Sequence, residues 1–362
     1  NRIDKIKKKI CKQVNGDEEK AGNINFKENG SSPKVECFIV KTKEDFKNVP
    51  KRKENIEKVI IKGEIEVIDY ETFCDCYKLE TVILGGDCTK IGNGAFKYCD
   101  ALQSINLRSV TTIGASAFQE CTELNGVNLS EVTEIGASAF SGCTSLTEVD
   151  VSNVSTISGY AFSGCTSLQK INLSNVTDIM GYAFYNCASL TEINLSNIGT
   201  IYKHVFDYCT SLTEVNLSNV RAIASYVFED CINLQKVNLD EVAEISMAAF
   251  YGCTVLTEVN LSNVTEIDNV AFCKCTMLNT INLSGVTKIG AYAFYGCEKL
   301  NTINLSSIKN VKSIGAYAFT GSKLSSVILP KEADKSVIEA IKKKICLQVN
   351  GNEKNDSGIT FK

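Results

Sequence analysis

Twelve phenylalanines recur at a nearly constant interval: Phe73, Phe96, Phe118, Phe140, Phe162, Phe184, Phe206, Phe228, Phe250, Phe272, Phe294 and Phe319, 22 or 23 residues apart until a last step of 25. A fixed period of this length is the signature of a solenoid. Around each Phe the unit reads, roughly, I-x-x-x-A-F-x-x-C-x-x-L-x-x-[VI]-x-L-x-x-V-x-x-I, and every named position is apolar. One such unit is too short to enclose a core. Its apolar residues are buried only when equivalent units lie above and below it.

The unit Ile179, Ala183, Phe184, Cys187, Leu190, Ile193, Leu195, Ile198 illustrates the local reading. Strand alternation over Leu190 to Leu195 turns Ile193 and Leu195 inward and Glu192 and Asn194 outward. From Ile179 to Cys187 the apolar spacing suits a short helix or 3₁₀ turn on the opposite side. The predicted coil is strand, bend, short helix and return. Burying its large side chains at about 1.5–3 kcal/mol each gives a gross gain on the order of 10 kcal/mol per coil before chain entropy is subtracted. Thirteen strand segments can be counted between Ile56 and Leu329. At about 4.8 Å per strand their parallel sheet spans roughly 60 Å. The expected class is an α/β repeat solenoid of about 12 coils over residues 56–329.

The motif I-G-x-x-A-F-x-x-C-x-x-L-x-x-[VI]-x-L, clean at Ile113 to Leu129 and Ile289 to Leu305, resembles the BspA-like leucine-rich repeats of bacterial surface proteins, found also in some parasitic protists. The resemblance covers about residues 56–329. It departs where Ser follows the strand Leu (Ser130, Ser174, Ser196, Ser218, Ser262, Ser284) instead of the family's frequent Pro. What the resemblance implies is a leucine-rich repeat right-handed superhelix with a parallel β-sheet on the concave face and short helices or 3₁₀ turns opposite. It further implies a non-catalytic scaffold at the cell surface or outside the cell, used for adhesion.

The flanks hold a second repeat. Residues 3–27, IDKIKKKICKQVNGDEEKAGNINFK, recur as 338–362, IEAIKKKICLQVNGNEKNDSGITFK, with 15 of 25 positions identical. In each copy Ile3, Ile6, Ile10 and Val14, or Ile338, Ile341, Ile345 and Val349, share one helical face, and Asn-Gly ends the helix. An N-terminal flanking segment (1–55) and a C-terminal flanking helix (330–362) that opens a further module are therefore expected. The helices are read as covers for the open ends of the solenoid rather than as membrane-surface helices, which need a larger apolar face. The chain begins at Asn1 rather than Met, which predicts a segment of a longer protein with any targeting signal outside it.

Charge narrows the partners. Residues 1–62 carry 17 Lys/Arg against 10 Asp/Glu, whereas 63–329 carry 14 against 27. An acidic body argues against a nucleic-acid groove. No run of about 18 apolar residues exists, so no spanning helix is expected.

Seventeen cysteines raise the question of disulfides or zinc. Eleven (Cys76, Cys99, Cys121, Cys143, Cys165, Cys187, Cys209, Cys231, Cys253, Cys275, Cys297) stand three residues after the repeat Phe. They form one column of parallel side chains, poorly oriented for pairing. Buried reduced thiols that pack as small apolar groups are expected. Cys11, Cys37, Cys88 and Cys346 have no assigned role. No zinc site is expected with a single histidine, and no cofactor of any kind.

His204 is that histidine, at the coil position of Tyr160, Tyr182 and Tyr226, and reads as a surface replacement for Tyr. No G-x-S-x-G, H-E-x-x-H or G-x-x-x-x-G-K-[ST] occurs. The recurring Glu148, Glu192, Glu214 and Glu258 occupy like environments, whereas acid–base pairs need unlike ones. No catalytic residues are expected.

Two faces remain for a protein or glycan partner. The sheet face displays the column Asn172, Asn194, Asn216, Asn238, Asn260, beside Glu192, Glu214 and Glu258. The opposite side displays Tyr160, Tyr182, His204 and Tyr226, the residue type that anchors interfaces. Simpler roles exist for both: Asn side chains bonded along the ladder, and Tyr rings covering the core. The asparagines also form N-L-S sequons, but glycans cannot crowd onto strands about 4.8 Å apart, which favours bacterial synthesis. A structural spacer and an intracellular interaction scaffold are the alternatives to a surface binding module.

Overall fold

The computed structural model describes residues 37–49, 55–354 and 358–362. The N-terminal helix expected around Ile3, Ile6, Ile10 and Val14, together with Cys11, lies outside the described residues.

Within them the chain winds as a parallel solenoid. The longer strands of successive coils pair in register, for example Glu192–Asn194 with Glu214–Asn216 and that with Lys236–Asn238. At the N-terminal side Cys37–Val40 adds a strand before Lys58–Ile61, and at the C-terminal side Thr360–Phe361 adds one after Ser326–Ile328.

The coils add one element to the expected outline and meet it on the remaining side. A second parallel sheet is built from two-residue strands, such as Thr156–Ile157, Asp178–Ile179 and Thr200–Ile201, at the V-x-x-I positions. Opposite the main sheet the repeating coils carry 3₁₀-type turns, one of the two expected forms, with no longer helix among the described residues. Residues two before and two after the Phe adopt left-handed backbone, as at Tyr160 (φ +59°) and Gly164 (φ +74°). Two such residues per coil break any helix. They aim alternate amides at the next coil: Tyr160 N–H donates to the Gly181 carbonyl, Phe162 to Ala183 and Gly164 to Tyr185, at 2.8–3.2 Å. The intervening amides bond along the chain in 3₁₀ fashion, Ala161 to the Ser158 carbonyl at 3.2 Å, Ser163 to Tyr160 at 3.1 Å and Cys165 to Phe162 at 3.2 Å. The apolar spacing is thus satisfied by short 3₁₀-type turns cross-linked to the next coil rather than by a continuous helix.

Burial follows the columns. All twelve repeat phenylalanines are fully enclosed. Their rings stack in one file from Phe73 to Phe319, with centroids 5.1–5.7 Å apart and planes within 14°. The cysteine column is equally buried, and no described cysteine is joined to another. Ten of its thiols donate to the carbonyl of the preceding coil's Phe at 3.1–3.2 Å, from Cys99 to Phe73 through Cys297 to Phe272. Cysteine serves here as a small apolar group with one donor.

Burial pushes these thiols up, Cys165 to about 12. Thiolate is the reactive form. Disulfide-exchange reagents at neutral pH are therefore expected to spare the ten Phe-bonded thiols until the chain unfolds, while among the described cysteines half-buried Cys37 and Cys74 react first. Rapid labelling of the column in folded protein, followed by peptide mass spectrometry, would contradict the packing.

Helix α1, Lys335–Asn350, closes the C-terminal end and stops at Gly351 in left-handed conformation (φ +76°). Ile341 and Ile345 are buried. Gln348 replaces part of a missing coil: its Oε1 accepts the Phe319 N–H at 3.2 Å and its Nε2 donates to the Gly315 carbonyl at 2.8 Å. Leucine at 348 would orphan that buried amide, a cost of about 1–3 kcal/mol. Gln348→Leu should lower hydrogen-exchange protection at Phe319 more than at Phe228; equal protection at Phe319 in both proteins would refute the bond's role.

Candidate partner-binding faces

The exposed face of the main sheet brings the predicted residues into rows. Glu192 lies beside Glu214, and Glu214 beside Lys236; Asn194, Asn216 and Asn238 follow in the next row. Asn172 ends strand Lys170–Asn172, which pairs with Glu148–Asp150. Glu258 stands at register with Thr280. Asn172, Asn194, Asn216 and Asn260 are exposed and Asn238 half-buried. Adjacent like charges on neighbouring strands are destabilising. Among the described residues neither Glu192 nor Glu214 has an ion-pair partner.

The asparagine column does not mainly bond along the ladder. Each Oδ1 accepts the backbone N–H two residues on, as Asn194 from Ser196 at 3.0 Å and Asn216 from Ser218 at 3.2 Å. These are local Asx turns that end the strand. Their Nδ2 groups reach a neighbour only at Asn172, bonded to Asp150, and Asn260, bonded to Asp240. The coil-to-coil bonds come from the second Asn of each N-L-S-N run: Asn175 to the Ser152 carbonyl and Asn197 to that of Ser174. Shallow hollows lie along this face among the described residues. One of 700 Å³ is bordered by Lys170, Glu192, Asn194, Thr213, Glu214 and Asn216. Another of 600 Å³ is bordered by Lys236, Val255, Glu258 and Asn282, and a third of 660 Å³ by Asn128, Glu148 and Lys170.

On the turn side Tyr160, Tyr182, His204 and Tyr226 form one continuous stack, with centroids 4.7, 4.4 and 4.5 Å apart. All four occupy the left-handed position, φ +59° to +63°, unusual for bulky residues. Ring stacking helps to offset that strain. Much of the ring surface is thus consumed within the stack; only Tyr160 is exposed, and His204 keeps 19% of its side chain open.

His204 also makes a contact that the tyrosines cannot. Its Nδ1 lies 3.0 Å from Asp207 Oδ2, and one donor atom each from His204, Asp207 and Glu229 fall within 4.8 Å of one another. Asp207 is 4% exposed in its side chain, and its Oδ1 has no hydrogen-bond partner. Burial, then the nearby Asp230, pushes the Asp207 carboxyl up to about 7; burial, then Asp207, does the same to Glu229. Burial holds the imidazole below its ordinary value. The role of His204 as a column replacement accounts for the stack but not for this cluster. Its trace in the sequence is the position after the Phe, where Tyr185 and Tyr251 flank Asp207 and Glu229.

No described helix is long and apolar enough to cross a membrane. A family model for the BspA type leucine rich repeat region, six copies, matches residues 47–154, 133–256 and 222–345. No curated protein matches the chain. Among solved structures, a leucine-rich repeat protein of Bacteroides ovatus is 28% identical, over 66% of this chain and 82% of its own, with a TM-score of 0.38. A leucine rich cell surface protein of Faecalibacterium prausnitzii is 24% identical over 68% and 87%, TM-score 0.42. A leucine-rich repeat protein of Eubacterium ventriosum is 21% identical over 77% and 87%, TM-score 0.47.

Proposed function

Because the chain belongs to the BspA-type leucine-rich repeat family, matched across most of its length, we propose that it is a non-enzymatic binding module that works outside the cell. Its main-sheet face takes a protein partner presenting Lys or Arg. The observation that carries this reading is the exposed, unpaired Glu192 and Glu214 side by side. Adjacent like charges cost stability; Lys236 beside Glu214 offsets part of that cost, and a cationic partner relieves the rest. The hollow they border offers relief for side chains to enter. Acidic glycans are disfavoured by the same charges. The Tyr160 to Tyr226 column ranks second, because its rings cover one another.

The experiment is surface plasmon resonance of wild type and Glu192→Lys/Glu214→Lys against purified extracellular matrix proteins and neutral glycans. A basic protein ligand should bind the wild type and lose about tenfold or more in affinity, roughly 1.4 kcal/mol, with the charge reversal. Raised salt should slow its association. Binding unchanged by the reversal would reject this face. No binding to any ligand would favour a spacer, a role that the added strand Thr360–Phe361 would suit by carrying the sheet onward.

A further inference from the structure

We infer that His204, Asp207 and Glu229 form a binding site for one first-row divalent transition-metal ion, with zinc as the representative.

A carboxylate buried without a partner is costly, and Asp207 has one oxygen in that condition, 96% of the side chain being out of solvent by the 4% that remains exposed. The nearby Tyr208 amide favours the charged carboxylate only in part, since that N–H also donates to the Glu229 carbonyl at 2.9 Å. Asp230 lies close enough to add to the negative field. The repeat itself did not require this arrangement. Neighbouring coils place Tyr182 and Tyr226 where His204 stands, and Tyr185 and Tyr251 where Asp207 and Glu229 stand. Three coordinating groups thus fall together on two adjacent coils, at the one histidine in the chain, although the position after the Phe varies widely along the solenoid, from Lys97 and Ser163 to Tyr185 and Thr320.

The donor set selects the ion. One imidazole nitrogen with two carboxylates suits zinc and its first-row neighbours, whereas calcium and magnesium prefer oxygen alone. Bonds of about 2.0–2.2 Å hold ligands roughly 3–3.5 Å apart. The three atoms, already within 4.8 Å of one another, need only a small contraction. His204 and Glu229 are half-buried rather than enclosed, which leaves a path for the ion and open coordination positions toward solvent. Bound there, the ion ties the His204 coil to the Glu229 coil and holds the Tyr182–His204–Tyr226 stack in place. This site is independent of the main-sheet reading.

The test compares the full chain with His204→Tyr, Asp207→Asn and Glu229→Gln. His204→Tyr restores the residue of the adjacent coils and so keeps the stack; Glu229→Gln, at the rim, serves if either other variant folds poorly. Zinc is titrated in competition with a chromophoric chelator, and cobalt binding is followed by its visible ligand-field bands. Wild type should take up one equivalent more of each ion than any variant, without the near-ultraviolet charge-transfer band of thiolate ligation. The ion should also raise the melting temperature of wild type alone. Equal uptake by wild type and His204→Tyr, a cobalt spectrum of thiolate ligands only, or no uptake would overturn the site.

Discussion

Phe184→Ala is expected to destabilise the middle of the solenoid by about 3–5 kcal/mol, the range for removing a fully buried aromatic side chain. The ring lies between Phe162 and Phe206, 5.7 and 5.5 Å away with planes 3° from parallel, so truncation opens a void with aromatic floor and ceiling. The backbone loses nothing: the Phe184 amide still donates to Val205, and its carbonyl still accepts from Cys187 N–H and Cys209 Sγ. The whole cost is packing. In a solenoid each coil is stabilised mainly by its neighbours, so weakening one central interface lets the halves unfold separately. Guanidinium titration followed by circular dichroism should show a lower midpoint and a broader or split transition. Phe73→Ala should behave differently, because Phe73 has one parallel stacking partner and meets Phe38 and Phe46 edge-on. A single transition shifted by less than about 1 kcal/mol in Phe184→Ala would contradict the load assigned to the stack.

The Phe, Cys, Leu and Ile columns were readable from the period alone, since identical spacing forces identical depth in every coil. Strand positions such as Glu192 to Asn194 followed from alternation. The two-residue strands at Thr156–Ile157 and its equivalents had too little length to show any alternation. On the turn side, the spacing of Ile179, Ala183, Phe184 and Cys187 fits a helix and a coil-to-coil turn ladder alike. What distinguishes them is the residue two after the Phe, where Gly142, Gly164, Asn186, Asp230 and Gly252 fit left-handed backbone, the conformation most easily adopted by Gly and, less easily, Asn or Asp. The cluster of His204, Asp207 and Glu229 was hidden for another reason. His204 and Glu229 are 25 residues apart, one period plus three, and meet only once the coils are stacked. Counting histidines discards the site, because carboxylates supply its other donors.

Removing residues 331–362 should cost more than any single substitution at the C-terminal end. Ile341, Ile345 and Ile359 are buried against the last coils. At about 1.5–3 kcal/mol each their loss amounts to roughly 5–9 kcal/mol before the recovered entropy of the released segment. The amide of Phe319 loses Gln348, and the strand Ser326–Ile328 loses the bonds that Thr360 and Lys362 donate to Ser325 and Val327, 2.8 and 2.9 Å long. Truncation replaces the two-residue edge strand Thr360–Phe361 by the three-residue edge Ser326–Ile328 and bares the apolar end of the last coil beside it, a template for another chain. The truncated protein should therefore self-associate in light scattering at concentrations where the full chain is monodisperse, and unfold at a lower denaturant concentration. Gln348→Leu, which keeps the apolar cover and the added strand, should stay monodisperse despite its orphaned amide. If the truncated chain were as monodisperse and as stable as the full one, the last coil would be self-sufficient, and α1 would be an appendage rather than the lid that its buried face describes.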